Sequence, residues 1–443
     1  MSTIFAQCSG SGKSGVVVYR ISGSGSILIL EKLIGSTIGS MLPRTMYFRK
    51  IFNPNTGTQI DEVMVVYFNA DSSFTGEESV EIHAHGSISV MKLLTQSFLL
   101  MDNLRLAEAG EFAKRAFLNG KFDLTGAEGL ADLIDAETEV QHRQAIRQLG
   151  GGLEKIYTNW RAHLLKIMSL IEAYIDFPDE DIPHEVLVNI KDNVKNLCDE
   201  ISSHLKDNNR GERLRNGLKL AIVGRPNVGK SSLMNYLLKR EAVIVSNIAG
   251  TTRDVIEGHL DICGYPIIIQ DTAGIREYSF DEIEQIGIKK AKEVLKDSDI
   301  KIIMYDLLEK NALNVDPFVS FIDDNSIVVF NKIDECLIHS EKDENALYIS
   351  AKTGKNLDQL MERIGCIAER IASPSENPQI TRERHRTQLS QALDALSSFD
   401  PENDLVLAAE DIRMTIRYLS NITGAITVDE ILGEIFSSFC IGK

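Results

Sequence analysis

The chain has 443 residues, a formal charge of −17 at pH 7 and a hydrophobic share of 43%, enough sequence for about three domains of ordinary size. No apolar run reaches the roughly 18 residues of a membrane span, and the first residues lack a signal peptide's charged start and long apolar core, so a cytoplasmic address is expected. The acidic balance argues against unspecific attachment to nucleic acid, and the six cysteines (Cys8, Cys198, Cys263, Cys336, Cys366, Cys440) have no C-x-x-C spacing that would suggest a zinc site or a disulfide framework.

The opening stretch "SGSGKSG" (residues 9–15) imitates a phosphate loop. The first glycine of G-x-x-x-x-G-K-[ST] would fall on Gln7, however, and the residues after Ser14, "GVVVYRIS", read as a β-strand where a phosphate loop needs a helix. The stretch is therefore a Gly/Ser turn. Up to about residue 120, "EVMVVYFNA" and "SVEIHAH" predict further strands and "ISVMKLLTQSFLLM" an amphipathic helix, which together make an α+β domain. His83 and His85 share one strand face, but no third ligand is apparent, so they read as structural. From Thr125 the texture becomes helical, through "TGAEGLADLIDAETEVQHRQAIRQL" and "LEKIYTNWRAHLLKIMSLIEAYI", with a break at Gly150–Gly152, and on into "EVLVNIKDNVKNLCDEISSHLKD". "DFPDED" reads as a solvated acidic turn or a partner contact.

Between about Leu218 and Ala372 strands and helices alternate, the pattern of a parallel α/β sheet. After the linker "SPSENPQ" (Ser373–Gln379) the chain is helical again to Phe439, so the α/β domain is expected to be inserted between two parts of a helical one. The expected boundaries are 1–120, 121–215, 216–372 and 373–443. "TRERHR" (Thr381–Arg386) is either a phosphate-binding patch or a solvated helix start. The terminal "CIGK" is a poor prenylation box, with Gly442 in an aliphatic slot and Lys443 last. Cys440 taken alone reads as a buried small apolar residue.

The inserted domain carries a complete phosphate loop. "LKLAIV" (Leu218–Val223) predicts a buried strand, Gly224, Gly229, Lys230 and Ser231 fall in register, and "SSLMNYLLKR" continues as a helix. Lys230 suits the β and γ phosphates, and the Ser231 hydroxyl suits Mg²⁺. Thr252 of "GTTRD" can complete the magnesium shell. Asp271 of "DTAG" can hold that ion through water, and Gly274 can offer its N–H to the γ phosphate. Asp334 of "NKID" (with Asn331 and Lys332) can accept two hydrogen bonds from guanine that adenine cannot supply, and "SAK" (Ser350, Ala351, Lys352) would support the base edge. The motifs in this order predict a GTPase. Ile275, directly after the D-x-x-G glycine, cannot orient water as a glutamine would. The amide oxygen of Asn227 can ligate a monovalent cation beside the β–γ bridge, which would offset charge in the transition state.

"GRPNVGKSS", "SNIAGTTRDVIEG", "DTAGIRE" and the ending "GEIFSSFCIGK" resemble the tRNA modification GTPase family called MnmE or TrmE. "FTGEESVEIHAHG", "GEFAKRAFLNGKFDLTGAEGLADLIDA" and "IDFPDEDI" do so too, and the likeness runs nearly end to end. The resemblance implies a multidomain fold: an α+β tetrahydrofolate-binding-like N-terminal domain, a helical domain and an inserted P-loop α/β GTPase domain. It implies nucleotide contacts at Asn227, Val228, Gly229, Lys230, Ser231, Ser232, Ser246, Asn247, Ile248, Ala249, Gly250, Thr251, Thr252, Asp271, Thr272, Ala273, Gly274, Asn331, Lys332, Asp334, Ser350, Ala351 and Lys352. It further implies activation by K⁺ held by Asn227, Ser246, Ile248 and Thr251, and a water-orienting Glu284, with Glu282 as the alternative alignment. A tetrahydrofolate derivative (5-formyl or methylene form) would meet Arg20, Glu81, Lys121 and Lys443, and Cys440 matches the family's terminal cysteine. One departure is that "CSGSGKSG" replaces the family's Pro-Gly-Arg-Gly-rich opening. The implied partners are a second copy of the chain, a flavoprotein of the MnmG or GidA type in a heterotetramer, and tRNA, with no membrane. The expected activity is installation of an aminomethyl-type (carboxymethylaminomethyl) group at carbon five of the wobble uridine. The rival expectation is a regulatory GTPase switch in ribosome assembly, without group transfer.

Overall fold

Strand β1 (Thr3–Gln7) and the β-branched run β2 (Val16–Ser22) pair antiparallel, so "SGSGKSG" is a hairpin connection and not the entrance to a helix. These positions come from a computed structural model that describes residues 2–10, 12–39, 41–176, 184–241, 257–270, 291–308, 317–335, 346–373, 377–426, 429–437 and 439–442. Packing divides the chain into two units. One joins Met1–Ala131, Gln148–His184 and Ser398–Lys443; the other joins Asp132–Arg147 and Glu185–Ser397.

In the first unit, helix α1 (Ser26–Ile34), β3 (Tyr47–Phe52), β4 (Gln59–Phe68), β5 (Ser79–His85), α2 (Ile88–Leu99) and β6 (Leu104–Leu106) follow. The sheet order is β3-β4-β5-β2-β1-β6, with β1–β6 parallel and the other pairs antiparallel. Alternation sends Val17, Tyr19 and Ile21 of β2 and Val80, Ile82 and Ala84 of β5 into a core shared with Leu30, Leu94 and Phe98 of the two helices. The opposite face of the same strands carries Arg20 and Glu81. It is covered near β1 by Phe112 of α3 (Glu111–Leu118), in a smaller cluster with Ile4, Ala6 and Ala107.

The predicted long helix after Thr125 is two helices, α4 (Leu124–Asp135) and α5 (Glu139–Leu149). The break has a local cause, a capping box. The Thr138 hydroxyl accepts from Gln141 N, while Gln141 Oε1 accepts from Thr138 N at 3.1 Å. Helix α6 (Gly152–Asp176) buries Leu153, Tyr157, Trp160, Leu164, Ile167 and Ile171, one stripe at helical spacing.

The second unit takes up α7 (His184–Leu205) and α8 (Arg210–Asn216), then the α/β elements β7 (Leu218–Gly224), α9 (Lys230–Glu241), β8 (Glu257–Ile262), β9 (Tyr265–Gln270), β10 (Ile300–Asp306), β11 (Ser326–Asn331), β12 (Leu347–Tyr348) and α10 (Leu357–Ala372), and finally α11 (Glu383–Ser397). The sheet order is β12-β11-β10-β7-β9-β8, parallel except for the β8–β9 hairpin. Its strands are apolar on both sides because both faces are covered: Leu220, Ile222, Ile302 and Val329 lie in one cluster, Ala221, Val223, Ile303 and Tyr305 in another. The inserted domain's entry and exit are neighbours, since a Cβ on Gly211 would lie 2.3 Å from the Ile380 carbonyl oxygen.

Back in the first unit, α12 (Leu405–Thr423) lies along α6, and Arg161 Nε donates to Ser420 Oγ at 3.0 Å. Helices before and after the α/β insertion therefore pack on each other. Asp404 caps α12 by accepting from Val406 N and Leu407 N, and α13 (Asp429–Ser437) sets Phe436 against Phe117 of α3.

Candidate functional site

The phosphate loop leaves the carboxyl end of β7 and enters the first turn of α9, where ligands of open α/β sheets bind. Gly224 and Gly229 are required sterically as well as by their positive φ of 153° and 102°. A Cβ on Gly224 would lie 2.4 Å from Met304 O, and one on Gly229 would lie 2.1 Å from Asn331 Nδ2. Asn227 sits exposed at the apex with φ 63°, while Val228 is buried beneath it. Ser231 and Ser232 are exposed on the first turn of α9. Lys230 folds back, donating from Nζ to Gly224 O at 2.9 Å and Arg225 O at 2.8 Å, and burial pushes its pKa down.

The base-side motifs meet this loop through Asn331, which is 3% exposed. Its amide nitrogen donates to Val228 O at 2.7 Å, and its amide oxygen accepts from Ala351 N at 2.9 Å. One side chain thus ties the phosphate loop to the "SAK" loop. Lys332, at φ 72°, pairs through Nζ with Asp306 Oδ2 at 2.5 Å. Asp334 is exposed. The Ser350 hydroxyl hydrogen-bonded to it, helped by the Lys352 charge, holds its carboxyl below the usual range, so it is an ionised acceptor at neutral pH. Ser350 is itself fully buried, and its hydroxyl also accepts from Thr353 N at 3.1 Å. Asp306 is absent from the motif reading. The available signal was its place at the carboxyl end of the apolar strand "IKIIMYD".

Of the remaining sequence candidates for nucleotide and cation, Ser246, Asn247, Ile248, Ala249, Gly250, Thr251, Thr252, Asp271, Thr272, Ala273, Gly274 and Glu284 lie outside the described residues, as do Ile275, Glu282 and all of "DFPDED" after Asp176. Among the described residues, no group of three or more His, Cys, Asp or Glu is arranged to hold a metal.

In the first unit, Arg20 and Glu81 face each other across β2 and β5 and are joined by Nε and Nη2 donating to Oε1 at 3.0 and 2.8 Å. The guanidinium lies over the rings of Phe74 and Phe112, with its carbon 5.0 and 5.6 Å from their centroids. His83 Nε2 is 3.6 Å from Glu81 Oε2, and His85 pairs with Asp61 at 2.8 Å. Lys121 is exposed and donates to Asp71 O at 2.7 Å. The ring of its neighbour Phe122 lies tilted against that of Phe74, centroids 6.1 Å apart, which brings Lys121 to the loop that flanks Arg20. Phe74 and Phe112 went unassigned by sequence reasoning, although both lie in the stretches that carry the family resemblance. Lys443 lies outside the described residues.

Two expectations are corrected. Cys440 is exposed, not a buried apolar filler, because the buried tail positions around it are Phe439 and Gly442. "TRERHR" is neither a free phosphate patch nor a solvated helix start. Arg382 pairs with Asp132 at 2.6 Å, Arg386 pairs with Asp207 at 2.8 Å and Glu212 at 3.1 Å, and His385 is fully buried. Arg382 and Arg386 are thus neutralised internally. Among the described residues, no helix is long and apolar enough to cross a membrane.

A family model described as the MnmE helical domain matches residues 124–440, and one described as the N-terminus of the GTP-binding protein TrmE matches residues 3–121. The tRNA modification GTPase MnmE of Rickettsia bellii (strain RML369-C) is 55% identical over 447 residues, and that of Rickettsia typhi is 56% identical over 448, each covering 100% of both chains. Among solved structures, the G domain of the T. maritima FeoB iron transporter is 28% identical, with 34% of this chain and 98% of that chain covered and a TM-score of 0.26.

Proposed function

The chain belongs to the MnmE (TrmE) family of tRNA modification GTPases, and from that premise we propose that it couples potassium-activated GTP hydrolysis to a change at carbon five of the wobble uridine of tRNA. A flavoprotein of the MnmG or GidA type is its partner, a carboxymethylaminomethyl-type group is the product, and the chain works as a homodimer. The observation that carries the nucleotide reading is the Asn331 bridge, because one buried side chain ties the phosphate loop to the base loop.

In this reading Asp334 accepts from the guanine N1–H and 2-amino group, and the buried Ser350 hydroxyl keeps the carboxylate aimed. Lys230 exchanges its two loop carbonyls for β and γ phosphate oxygens. Its charge is partly desolvated, so an anionic partner would stabilise it. The donors present suit hard cations: the exposed Ser231 hydroxyl for Mg²⁺ and the exposed Asn227 amide at the loop apex for K⁺. Bound there, the two ions would neutralise charge gathering on the β–γ bridge as water displaces GDP from the γ phosphoryl. Glu284 orients that water, the role Ile275 cannot fill. Thr252 and Asp271 would help to hold the magnesium ion, and Ser246, Ile248 and Thr251 would help to hold the potassium ion.

On the N-terminal side, Arg20, Glu81, Lys121 and Lys443 take a 5-formyl- or methylene-tetrahydrofolate. A charged pair flanked by Phe74 and Phe112 suits a flat heteroaromatic with an anionic tail. That carrier would supply the first carbon of the new substituent, and Cys440 acts in the transfer.

The test is GTP turnover in potassium against sodium. Turnover is expected to be fast in K⁺ and slow in Na⁺, with the difference abolished by Asn227→Ala. Glu284→Ala should lower turnover by roughly 10²-fold with little change in GTP binding. Equal rates in the two salts would overturn the cation mechanism; a severe Glu282→Ala with a mild Glu284→Ala would move the water-orienting role two residues back.

A further inference from the structure

The C-terminal tail is held in a built seat. Phe439 is buried with Phe436 and Leu432 against Ala113 and Leu124, which fixes the tail on its N-terminal side. Ile441 then makes an antiparallel bridge with Ala109. Gly442 is buried at φ 106°, so close to β1 that a Cβ would lie 2.0 Å from Gln7 O and 3.4 Å from the Cys8 Cα. At that point the Cys8 thiol donates to the Gly442 carbonyl at 2.9 Å. Cys8 is itself fixed by its N–H to Val18 O at 2.8 Å, and it packs on the Ile4, Ala6, Ala107 and Phe112 cluster. Phe112 from that cluster also lies beneath the Arg20 guanidinium.

Cys440 is therefore the exposed residue between two anchors, on a segment that ends against the packing which carries Arg20. We propose that Cys8 is a positioning residue: with Ala109 and the close approach of Gly442 to Gln7 it latches the tail, so that the Cys440 thiol is presented at a fixed place near the Arg20–Glu81 pair. Cys8 lies in the opening stretch that departs from the family pattern and has no part in the GTPase motifs. Its thiol is a weak donor, so the latch contributes a modest share. The glycine seat is the stronger part, because a side chain there meets backbone.

The part this seat plays in group transfer rests on the folate reading above; the seating itself does not. The experiment uses the full chain in three variants, Cys8→Ala, Cys8→Ser and Gly442→Ala. Hydrogen exchange of the tail amides, read by mass spectrometry of the C-terminal peptide, should speed up by about twofold in Cys8→Ala, the low end for one net hydrogen bond because the thiol is a weak donor, and by more in Gly442→Ala. Cys8→Ser, whose hydroxyl can donate to the same carbonyl, should return close to the parent. Modification of tRNA in the presence of the flavoprotein should fall in kcat in Cys8→Ala and recover in Cys8→Ser, with the folate KM unmoved. Unchanged exchange in Cys8→Ala overturns the latch. Faster exchange with undiminished modification overturns the positioning role. Undiminished folate binding by Arg20→Ala sinks the folate reading alone and leaves the exchange result standing.

Discussion

Replacing Asn331 by alanine should weaken guanine nucleotide binding although the side chain is buried under the nucleotide loops. Asn331 is 3% exposed and makes two short hydrogen bonds, 2.7 Å to Val228 O and 2.9 Å from Ala351 N. Alanine removes both partners at once. Each bond is worth about 1 kcal/mol net, and each of the two orphaned buried groups costs about 1–3 kcal/mol, so the loss is about 2–6 kcal/mol. Part of that loss falls on the stability of the α/β domain. The rest falls on affinity, because the phosphate loop and the "SAK" loop are no longer held at one spacing and the nucleotide must order them. If about 1.4 kcal/mol falls on affinity, the Kd for GDP rises about tenfold. The assay is Kd for a fluorescent GDP analogue together with thermal unfolding, with and without saturating nucleotide. Asn331→Asp separates the two bonds, since it keeps the acceptor for Ala351 N–H and sets a second acceptor against Val228 O. Gly229→Ala should phenocopy the loss, because its Cβ would lie 2.1 Å from Asn331 Nδ2. A GDP Kd for Asn331→Ala within about twofold of the parent would refute the bridging role.

Asp334→Asn should weaken GTP and improve xanthosine triphosphate, whose 2-oxo group suits an amide donor; an unchanged preference in competition binding removes Asp334 from base recognition. Lys13→Ala, in the exposed β1–β2 hairpin, should leave GTP affinity intact, whereas Lys230→Ala should lose most of it, and a comparable loss from both would restore the opening stretch as a nucleotide site. The N-terminal domain should lose stability in acid through Glu111. Burial alone would raise its pKa, but hydrogen bonds from Arg105, the Glu108 backbone and Arg115 outweigh it and bring the value from 4.5 to about 2. The ionised carboxylate therefore stabilises the fold above about pH 4.5, and that contribution fades as the pH falls towards 2. In Glu111→Gln this part of the acid dependence, followed by circular dichroism, should disappear.

What could be read from the residues and what could not divides by how far apart the partners lie along the chain. The phosphate loop was readable because strand, glycines, lysine and helix are contiguous, and the false loop at residues 9–15 was rejected on the same local ground. The capping box at Thr138 and Gln141 was equally local and equally readable in "TEVQ", but the Ala/Leu-rich texture on either side suggested one continuous helix. Asn331 is different in kind. Its motif points to the base, whereas its amide binds groups 103 and 20 residues away. The arginines of "TRERHR" meet carboxylates 250 and 179 residues away, so no count of charges could tell a neutralised brace from an open phosphate patch. The same holds for Arg20, whose flanking rings come from a loop and from α3.

The insertion itself shows why distance along the chain sets this limit. Its ends meet, with Gly211 against Ile380. Within the other unit α12 lies along α6 and places Ser420 on Arg161, 259 residues earlier. Amphipathic spacing in α6 and α12 tells that each has an apolar face to cover. Which helix covers it is not written in either helix, and some glycines are likewise constrained only by the backbone of a remote segment. Gly211 and Gly442 are of this type: each is exchangeable by local propensity and fixed by a carbonyl far away in sequence. The C-terminal tail, with Gly442 seated against Gln7, therefore depends on the completed fold, and loosening the seat is expected to free the tail without unfolding the strands beneath it.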